Sequence, residues 1–393
     1  MPDSSAPTGW PDGFVRIRAD RDALLVLSHL QRKSPRDIHA LAWREGSASA
    51  CLSAVRGGDG SAGDRAIAND VDPRVVEERL NRMSARAITP ADPEYPERLL
   101  GLSDPPAVLF VRGRSLSELE TAVAIVGARS CSPYGRDAAI SLASRLAMAG
   151  LTVVSGAALG IDGAAHEGAL MSSGYTVAVL GSGLDRPHPR TNEDLIGRIA
   201  MEGTVVSEFP PRTEPLPRHF PSRNRIIAGL ADGVIVVEGA ERSGSLQTAE
   251  FAYEDLGREL MAVPGPIDSV LSRAPHELIR NGAALVSDAN DVLAALGLLE
   301  LIDDSSAGPA AVGHEDERRA LEVLSGRPAS LEDVSRSSGL ALNRALVALS
   351  GLELRGLAEG RGGRYRLVGQ PRRERQTSSE PEKAARVRSA ERA

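Results

Sequence analysis

From Thr121 to Leu298 short β-branched runs alternate with helical stretches, and this alternation constrains the fold more than any other feature of the chain. The runs are AVAIVG, LTVVSG, YTVAVLG, TVVSE, GVIVVEG and ELMAVPG, apolar at nearly every position. A strand that is apolar on both faces must be covered on both, the condition met by a parallel sheet with helices on either side. The expected core is an α/β domain over residues 121–298, an extended Rossmann-like parallel sheet with flanking helices. Ligands of such sheets bind at the carboxyl ends of the strands, and Gly, Ser and charged residues gather there in this chain.

The flanks read differently. Residues 1–70 form a small helical N-terminal region, in part disordered, whose amphipathic stretches DALLVLSHL and RDIHALAW stop at GGDGSAGD, Gly57 to Asp64. Residues 71–120 hold one helix, VVEERLNRM, and then an arm whose Pro93, Pro96, Pro105 and Pro106 impose an extended path. Residues 299–313 are polar and small, as a linker is. Residues 314–369 read as two helices, the second with a capping box from Ser330 to Asp333, then a turn at Ser338 and Gly339, a longer helix and a Gly-rich hairpin, the order of a winged helix-turn-helix domain. Residues 370–393 are charged and apolar-poor, a disordered tail.

With 46 basic against 53 acidic residues in 393, the net charge of −7 does not mark the whole chain as a binder of nucleic acid or membrane. Any such site is local. Lys33 and Lys383 are the two lysines; the other cations are arginines, suited to bidentate phosphate contacts and to stacking. Two cysteines make no disulfide framework and seven scattered histidines no metal site. No apolar run reaches a span of about 18 residues and no leader pattern opens the chain, so a cytoplasmic protein without a membrane contact is expected.

Four strand ends carry candidate chemistry. In VGARSCSPYG, Gly127 lets backbone approach a ligand and Arg129 stands beside the next helix start; a phosphate site and a plain turn with a solvated arginine are equally open readings. Cys131 lies near that helix start, where a thiol pKa can fall, but has no base close in sequence. In SGAALGIDGAAH, Ser155, Gly156 and Gly160 line a turn, and Asp162 and His166 share a helical face, more as a brace than as an acid–base pair. The loop PPRTEPLPRHFPSRNR sets Arg212, Arg218, Arg223 and Arg225 around Phe220, an arrangement for single-stranded nucleic acid in which guanidinium meets phosphate and the ring stacks on a base. Its bland alternative is a rim loop with Phe220 packed down and its arginines paired to Glu208 or Glu214. In EGAERSGSLQTAEFA, Ser243, Gly244, Ser245 and Thr248 open a helix, as an anion cradle or simply as caps. The chain lacks G-x-x-x-x-G-K-[ST] and Gly-x-Ser-x-Gly, which disfavours a Walker ATPase and an α/β-hydrolase.

In this order the segments YPERLLGLSDPPAVLFVRG, VGARSCSPYG, SGAALGIDGAAHEGAL, TVAVLGSGLD, VVSEFPP, HFPSRNRIIAGLADGVIVVEGAERSGSLQTAEFA, ELMAVPG and LIRNGAALV resemble the DNA-processing protein A (DprA/Smf) family of natural transformation, over Tyr95 to about Val292. The resemblance implies a homodimer that binds single-stranded DNA, helps load a RecA-type recombinase and displaces single-strand-binding protein, with no catalytic residues, metal or cofactor. Carried over, it implies DNA or phosphate contacts at Gly127, Arg129, Ser155, Gly156, Gly160, Phe220, Arg223, Asn224, Arg225, Gly244, Ser245 and Thr248. Tyr134, Asp162, His166 and Arg218 support them.

Three positions depart from the family pattern: His188-Pro189 replaces Tyr-Pro, SRAPHELIR lacks Ser-Gly-x-Asn, and QRKSPRDI stands where a Gly-Ile-Gly hairpin turn is often found. The expected recognition helix of the C-terminal domain offers Asn343, Arg344 and Arg355 and is otherwise apolar, which favours docking of a protein over reading of DNA. The alternative function is a nucleotide-binding or nucleotide-hydrolysing enzyme like the cytokinin-activating phosphoribohydrolases. Their Gly-Gly-x-Gly-Thr-x-x-Glu spacing is not reproduced: Glu250 follows Thr248 by two residues and no Gly-Gly precedes it. A scaffold that senses a nucleotide and relays it through the winged helix is a third reading.

Overall fold

In the computed structural model of the protein, residues 8–241, 244, 248–249, 251–298, 315–326, 328–354, 356–361 and 364–368 are described. Its main sheet contains β1 (Ala85–Ile88), β2 (Leu109–Gly113), β3 (Ala122–Val126), β4 (Thr152–Ser155), β5 (Thr176–Leu180), β6 (Thr204–Ser207), β7 (Gly233–Val236), β8 (Glu259–Ala262) and β9 (Ala284–Leu285). Every residue from β3 through β7 within these strands is buried, as apolar runs covered on both faces must be. The spatial order is β1-β2-β6-β5-β4-β3-β7-β8-β9, parallel except where β2 pairs with β1 and β6. This is the expected extended Rossmann-like sheet. Chain order reverses at β3, which has β4 on one side and β7 on the other, and a crevice opens outside the carboxyl ends of such a switch point.

The proline-rich stretch read as an arm does more than lead into the core, because it supplies β1 and β2. It also holds α9 (His219–Leu230): Arg98 donates to the Leu230 carbonyl at 2.9 Å, and Leu99 and Leu102 share a core with Ile226 and Ile227. The other face of the sheet is covered by α6 (Pro133–Met148) and α7 (Ile161–Met171), whose Leu142, Leu146, Ala164 and Ala165 pack on Val123, Ile125 and Val153. The N-terminal helices α1 (Arg18–Leu27), α2 (Pro35–Glu45), α3 (Ala48–Ala54), α4 (Ala62–Asp70) and α5 (Pro73–Arg82) bury Leu24, Leu41, Leu52, Ala68 and Leu80 in one cluster with Phe110 and Leu180 of the sheet and Ile199 of α8 (Glu193–Glu202).

The chain divides into two compact units near Ile302. In the second unit, helices Glu315–Gly326, Leu331–Ser338 and Leu342–Leu354 enclose Leu324, Val334, Leu349 and Leu352, and strands Ala358–Arg361 and Arg364–Leu367 form the wing, with Ala329–Ser330 as third strand. Ser330 caps the middle helix by the capping box read from sequence, accepting from the Asp333 amide at 3.1 Å. Arg344, expected among the exposed donors of the longer helix, is ion-paired to Asp316 at 2.6 Å, while Leu342, Leu346 and Val347 are exposed. Arg355, residues 299–313 and the tail 370–393 lie outside the described residues.

Candidate functional site

The crevice at the switch point is a pocket of about 190 Å³. Gly127 and Arg129 enter it from the end of β3, Asp162 from the start of α7, Phe220, Arg223 and Asn224 from the first turns of α9, and Gly244 and Thr248 from the segment after β7. Three of the four strand ends singled out in the sequence thus converge with the arginine-rich segment on one small cavity. That segment is not a loop. Pro221 is the third residue of α9, where proline has no helical hydrogen bond to lose, so FPSRNR starts a helix instead of rimming the sheet.

Phe220 is half-buried, with the exposed Arg129 guanidinium carbon 5.2 Å from its ring centroid and the His188 ring at 5.6 Å. The departure of His188 from the family's tyrosine therefore keeps a flat ring beside Phe220. The ring quadrupole attracts a cation placed over its face, which holds the Arg129 guanidinium there. No side chain caps the N-terminus of α9, although the His219 amide donates to the Leu216 carbonyl at 2.9 Å and Pro221 has no amide hydrogen, so what the helix start offers there is chiefly the positive end of its dipole.

Arg223 is buried and acts as a keystone. Its Nη1 donates to the carbonyls of Gly156, at 2.7 Å, and Val179, its Nε donates to Asn224 Oδ1 at 3.1 Å, and Nη2 lies 3.8 Å from the Asp162 carboxylate. Burial, and then repulsion from Arg129, brings its pKa down to about 10, so it remains charged at neutral pH. Burial pushes Asp162 up while Arg223 pulls it down. Gly156 is fixed by this contact, because a Cβ on it would stand 2.0 Å from Arg223 Nη2. Gly160, at φ 75°, turns the chain into α7 in the left-handed region that glycine tolerates.

Arg225, expected at the phosphates, is instead a brace. Its Nε reaches Asp104 at 3.0 Å and its Nη2 reaches Glu208 at 2.7 Å, with the side chain 6 % exposed, so both faces of the fork are committed to carboxylates. Burial opposes the charge, but Glu208 and Asp104 outweigh it and hold the guanidinium pKa up. This is the bland alternative of the sequence reading realised for one arginine. Asp104, 121 positions away, carries no local signal for it.

The remaining candidates take supporting places. Ser155 donates to the Ile125 carbonyl at 2.7 Å, Thr248 to the Gly244 carbonyl at 3.2 Å, and Tyr134 to the Pro264 carbonyl at 2.6 Å; Ser155 and Tyr134 do not line the pocket. His166 is buried with Nδ1 2.7 Å from Thr176 Oγ1, and neither hydrogen bond nor ion pair joins it to Asp162. Burial and then Arg223 hold its pKa near 3, so it stays neutral. Arg218 is exposed and lines a separate groove. Ser243, Ser245 and Glu250 lie outside the described residues.

Glu238 was not singled out, yet it organises the first loop: it accepts from the Ser132 amide at 2.8 Å and hydroxyl at 2.5 Å, and its carbonyl takes the Ala128 amide at 2.8 Å. Its position at a strand end was the available signal. The Cys131 thiol is pushed up by burial and then by Glu238, the reverse of activation at a helix start. Among the described residues no cluster of three or more His, Cys, Asp or Glu could hold a metal, and no helix is long and apolar enough to cross a membrane.

Residues 86–297 match the family described as DNA recombination-mediator protein A, and residues 304–364 match the DprA winged helix domain. The putative DNA processing protein DprA of Mycobacterium tuberculosis is 41 % identical over 308 residues, covering 74 % of this chain and 79 % of that protein. DNA processing protein DprA of Streptococcus pneumoniae is 46 % identical over 200 residues, 51 % of this chain and 70 % of that one. An X-ray structure of DprA from Streptococcus pneumoniae aligns with a TM-score of 0.56 at 36 % identity, over 71 % of this chain and 98 % of that chain.

Proposed function

Since the chain belongs to the DNA recombination-mediator protein A family, we propose that it binds single-stranded DNA at the switch-point pocket, with slight sequence preference, and helps load a RecA-type recombinase during DNA uptake and recombination. The observation that carries this reading is the half-buried Phe220 ring, flanked by Arg129 and His188 at the mouth of the pocket. A base stacks on such a ring whatever its identity, and Arg129 with the positive end of α9 receives the phosphates. Stacking and phosphate contacts read no base edge, hence the weak preference.

An acidic chain can hold a polyanion when its positive charge is local, and affinity then falls steeply with salt. Displacement of single-strand-binding protein and a cytoplasmic homodimer belong to the same reading, since two copies extend the track and gain avidity. No catalytic turnover or cofactor enters it.

Fluorescence anisotropy of a labelled poly-dT oligonucleotide at two salt concentrations, with duplex DNA as competitor, tests the proposal. Saturable, salt-sensitive binding that prefers the single strand is expected. Absence of binding, or equal competition by duplex, would overturn it. Release of free base from nucleoside monophosphates would move the chain to the phosphoribohydrolase alternative.

A further inference from the structure

Within the first unit a second and larger groove, about 840 Å³, lies between the N-terminal helices and the other side of the first turn of α9. Its floor is apolar, with Leu27, Leu30, Ile38 and Val108 beneath half-buried Phe209, whose ring stacks on His219 at 4.1 Å. Arg32, Lys33, Arg79, Arg212 and Arg218 line it against only two acids, Glu208 and Glu214. Both acids are answered from outside the groove, Glu208 by Arg225 at 2.7 Å and Glu214 by Arg186 at 3.5 Å. Lys33 pairs with Asp59 at 3.6 Å, which is not a lining residue. Among the described residues Arg32, Arg79, Arg212 and Arg218 have no ion-pair partner, so the groove carries unanswered positive charge over an apolar floor.

Two buried polar atoms that find no hydrogen-bond partner, Glu208 Oε2 and His219 Nδ1, belong to its wall. One helix end agrees with the charge. α9 contributes Arg218 and His219 from a start that no side chain caps, whereas the α2 start at Ser34 and Pro35, which also lines the groove, is closed by its capping box with Asp37. One helical turn separates the two cavities, because Arg218, His219 and Ser222 line the groove while Pro217, Phe220 and Asn224 line the pocket.

We propose that this groove is a second seat for the same DNA strand, which crosses the first turn of α9 from a base on Phe220 to phosphates held by Arg32, Arg79, Arg212 and Arg218. The proposal rests on the reading of the pocket as a single-strand site, and it gives the N-terminal helices a role in binding. A chain of phosphodiesters and flat bases fits the combination of four open guanidiniums, an apolar floor and a stacked aromatic pair. The consequence is a dependence on length: a short oligonucleotide fills the pocket alone, and a longer one fills both.

The test measures anisotropy of labelled thymidine oligonucleotides of roughly four and roughly twenty nucleotides, lengths that bracket ordinary single-strand sites, against wild type, Arg32→Glu/Arg79→Glu and Arg129→Ala. The double variant is expected to bind the long strand at least tenfold more weakly and the short one within twofold of wild type. Its salt dependence on the long strand should be shallower by about 1.4 in the log–log slope, at about 0.7 per lost phosphate contact. Arg129→Ala should weaken both lengths.

Photocrosslinking of the long strand carrying 5-iododeoxyuridine gives a second readout that needs no variant, with a crosslink expected in the peptide containing Phe209. Unchanged long-strand affinity and slope in the double variant, or crosslinks confined to the Phe220 side, would overturn the second seat while leaving the pocket standing. Failure of wild type to bind either length would remove both. Binding of an acidic peptide or a free nucleotide in the groove that leaves long-strand affinity unchanged would also count against it.

Discussion

Arg223 occupies the space that a side chain on Gly156 would need. Its Nη1 donates to the Gly156 carbonyl at 2.7 Å, and a Cβ on Gly156 would fall 2.0 Å from Nη2, so the loop after β4 and the start of α9 fit together only with glycine there. This contact ties two of the converging elements into one rigid wall of the pocket, and the rigidity is a property of packing rather than of any ligand.

Gly156→Ala should therefore act through that wall. The guanidinium is buried and bonded on several sides, so it cannot swing to solvent and the backbone must shift instead. Overpacking of this kind costs about 1–3 kcal/mol. A lower Tm by circular dichroism is expected together with weaker binding of a single-stranded oligonucleotide; an unchanged Tm and affinity would show that Arg223 has room to move.

Phe220→Ala removes the stacking surface without touching the core, because the ring is half-buried above the pocket. One stacked base is worth about 1–3 kcal/mol, so affinity should fall by about 5- to 150-fold at constant Tm. Phe220→Tyr should restore most of it and Phe220→Leu should not, since the leucine keeps hydrophobicity and loses the flat face. Equal loss in the tyrosine and leucine variants would mean that the ring packs against protein and not against a base.

Arg225→Met separates bracing from binding. It strands Glu208, whose Oε2 already lacks a partner, and Asp104. Removing one partner of a buried ion pair costs about 3–5 kcal/mol, and urea unfolding should register a loss of that size at pH 7. With the arginine gone, Glu208 is free to take up a proton, so the loss should shrink toward pH 5. Under conditions where the variant is folded, its affinity for the oligonucleotide should stay within about threefold of wild type, whereas loss of a charge-assisted hydrogen bond, typically worth about 1.5–3 kcal/mol, would cost roughly tenfold or more. A larger drop would return Arg225 to the DNA.

The strands were legible because their apolar runs answer to a purely local condition, burial on both faces, and the convergence of their ends follows from parallel topology alone. The fate of the arginines was not. Arg129 and Arg225 are equally basic in sequence, yet one is exposed over Phe220 and the other is sealed by carboxylates 17 and 121 positions away. The same holds for the proline-rich arm: its prolines announce an extended path, but pairing of β2 with β6 depends on a segment nearly a hundred residues later. Three prolines, at 215, 217 and 221, also made the start of α9 read as a loop, although the last of them sits where a helix accepts proline.

His166 gives the fold a pH signature that the pocket does not share. The Thr176 hydroxyl donates to the Val153 carbonyl at 2.7 Å, so it accepts from His166 Nδ1, and Nε2 is left buried without a partner. Burial, and then the nearby Arg223 charge, outweigh the Ser155 carbonyl, which favours a proton on the ring, and keep the folded-state pKa near 3. In the unfolded chain the imidazole titrates at about 6.5, so between these values the unfolded state binds the extra proton. The stability contributed by the neutral ring is complete above about pH 6.5 and is lost as pH falls toward 3, by up to about 1.4 kcal/mol per unit. Urea unfolding of wild type and His166→Gln between pH 7 and 5 isolates this term, because the other histidines are common to both proteins. The wild-type slope should exceed that of the variant by close to one proton near pH 5; parallel slopes would mean that His166 is charged in the folded protein and that Nε2 has found a partner.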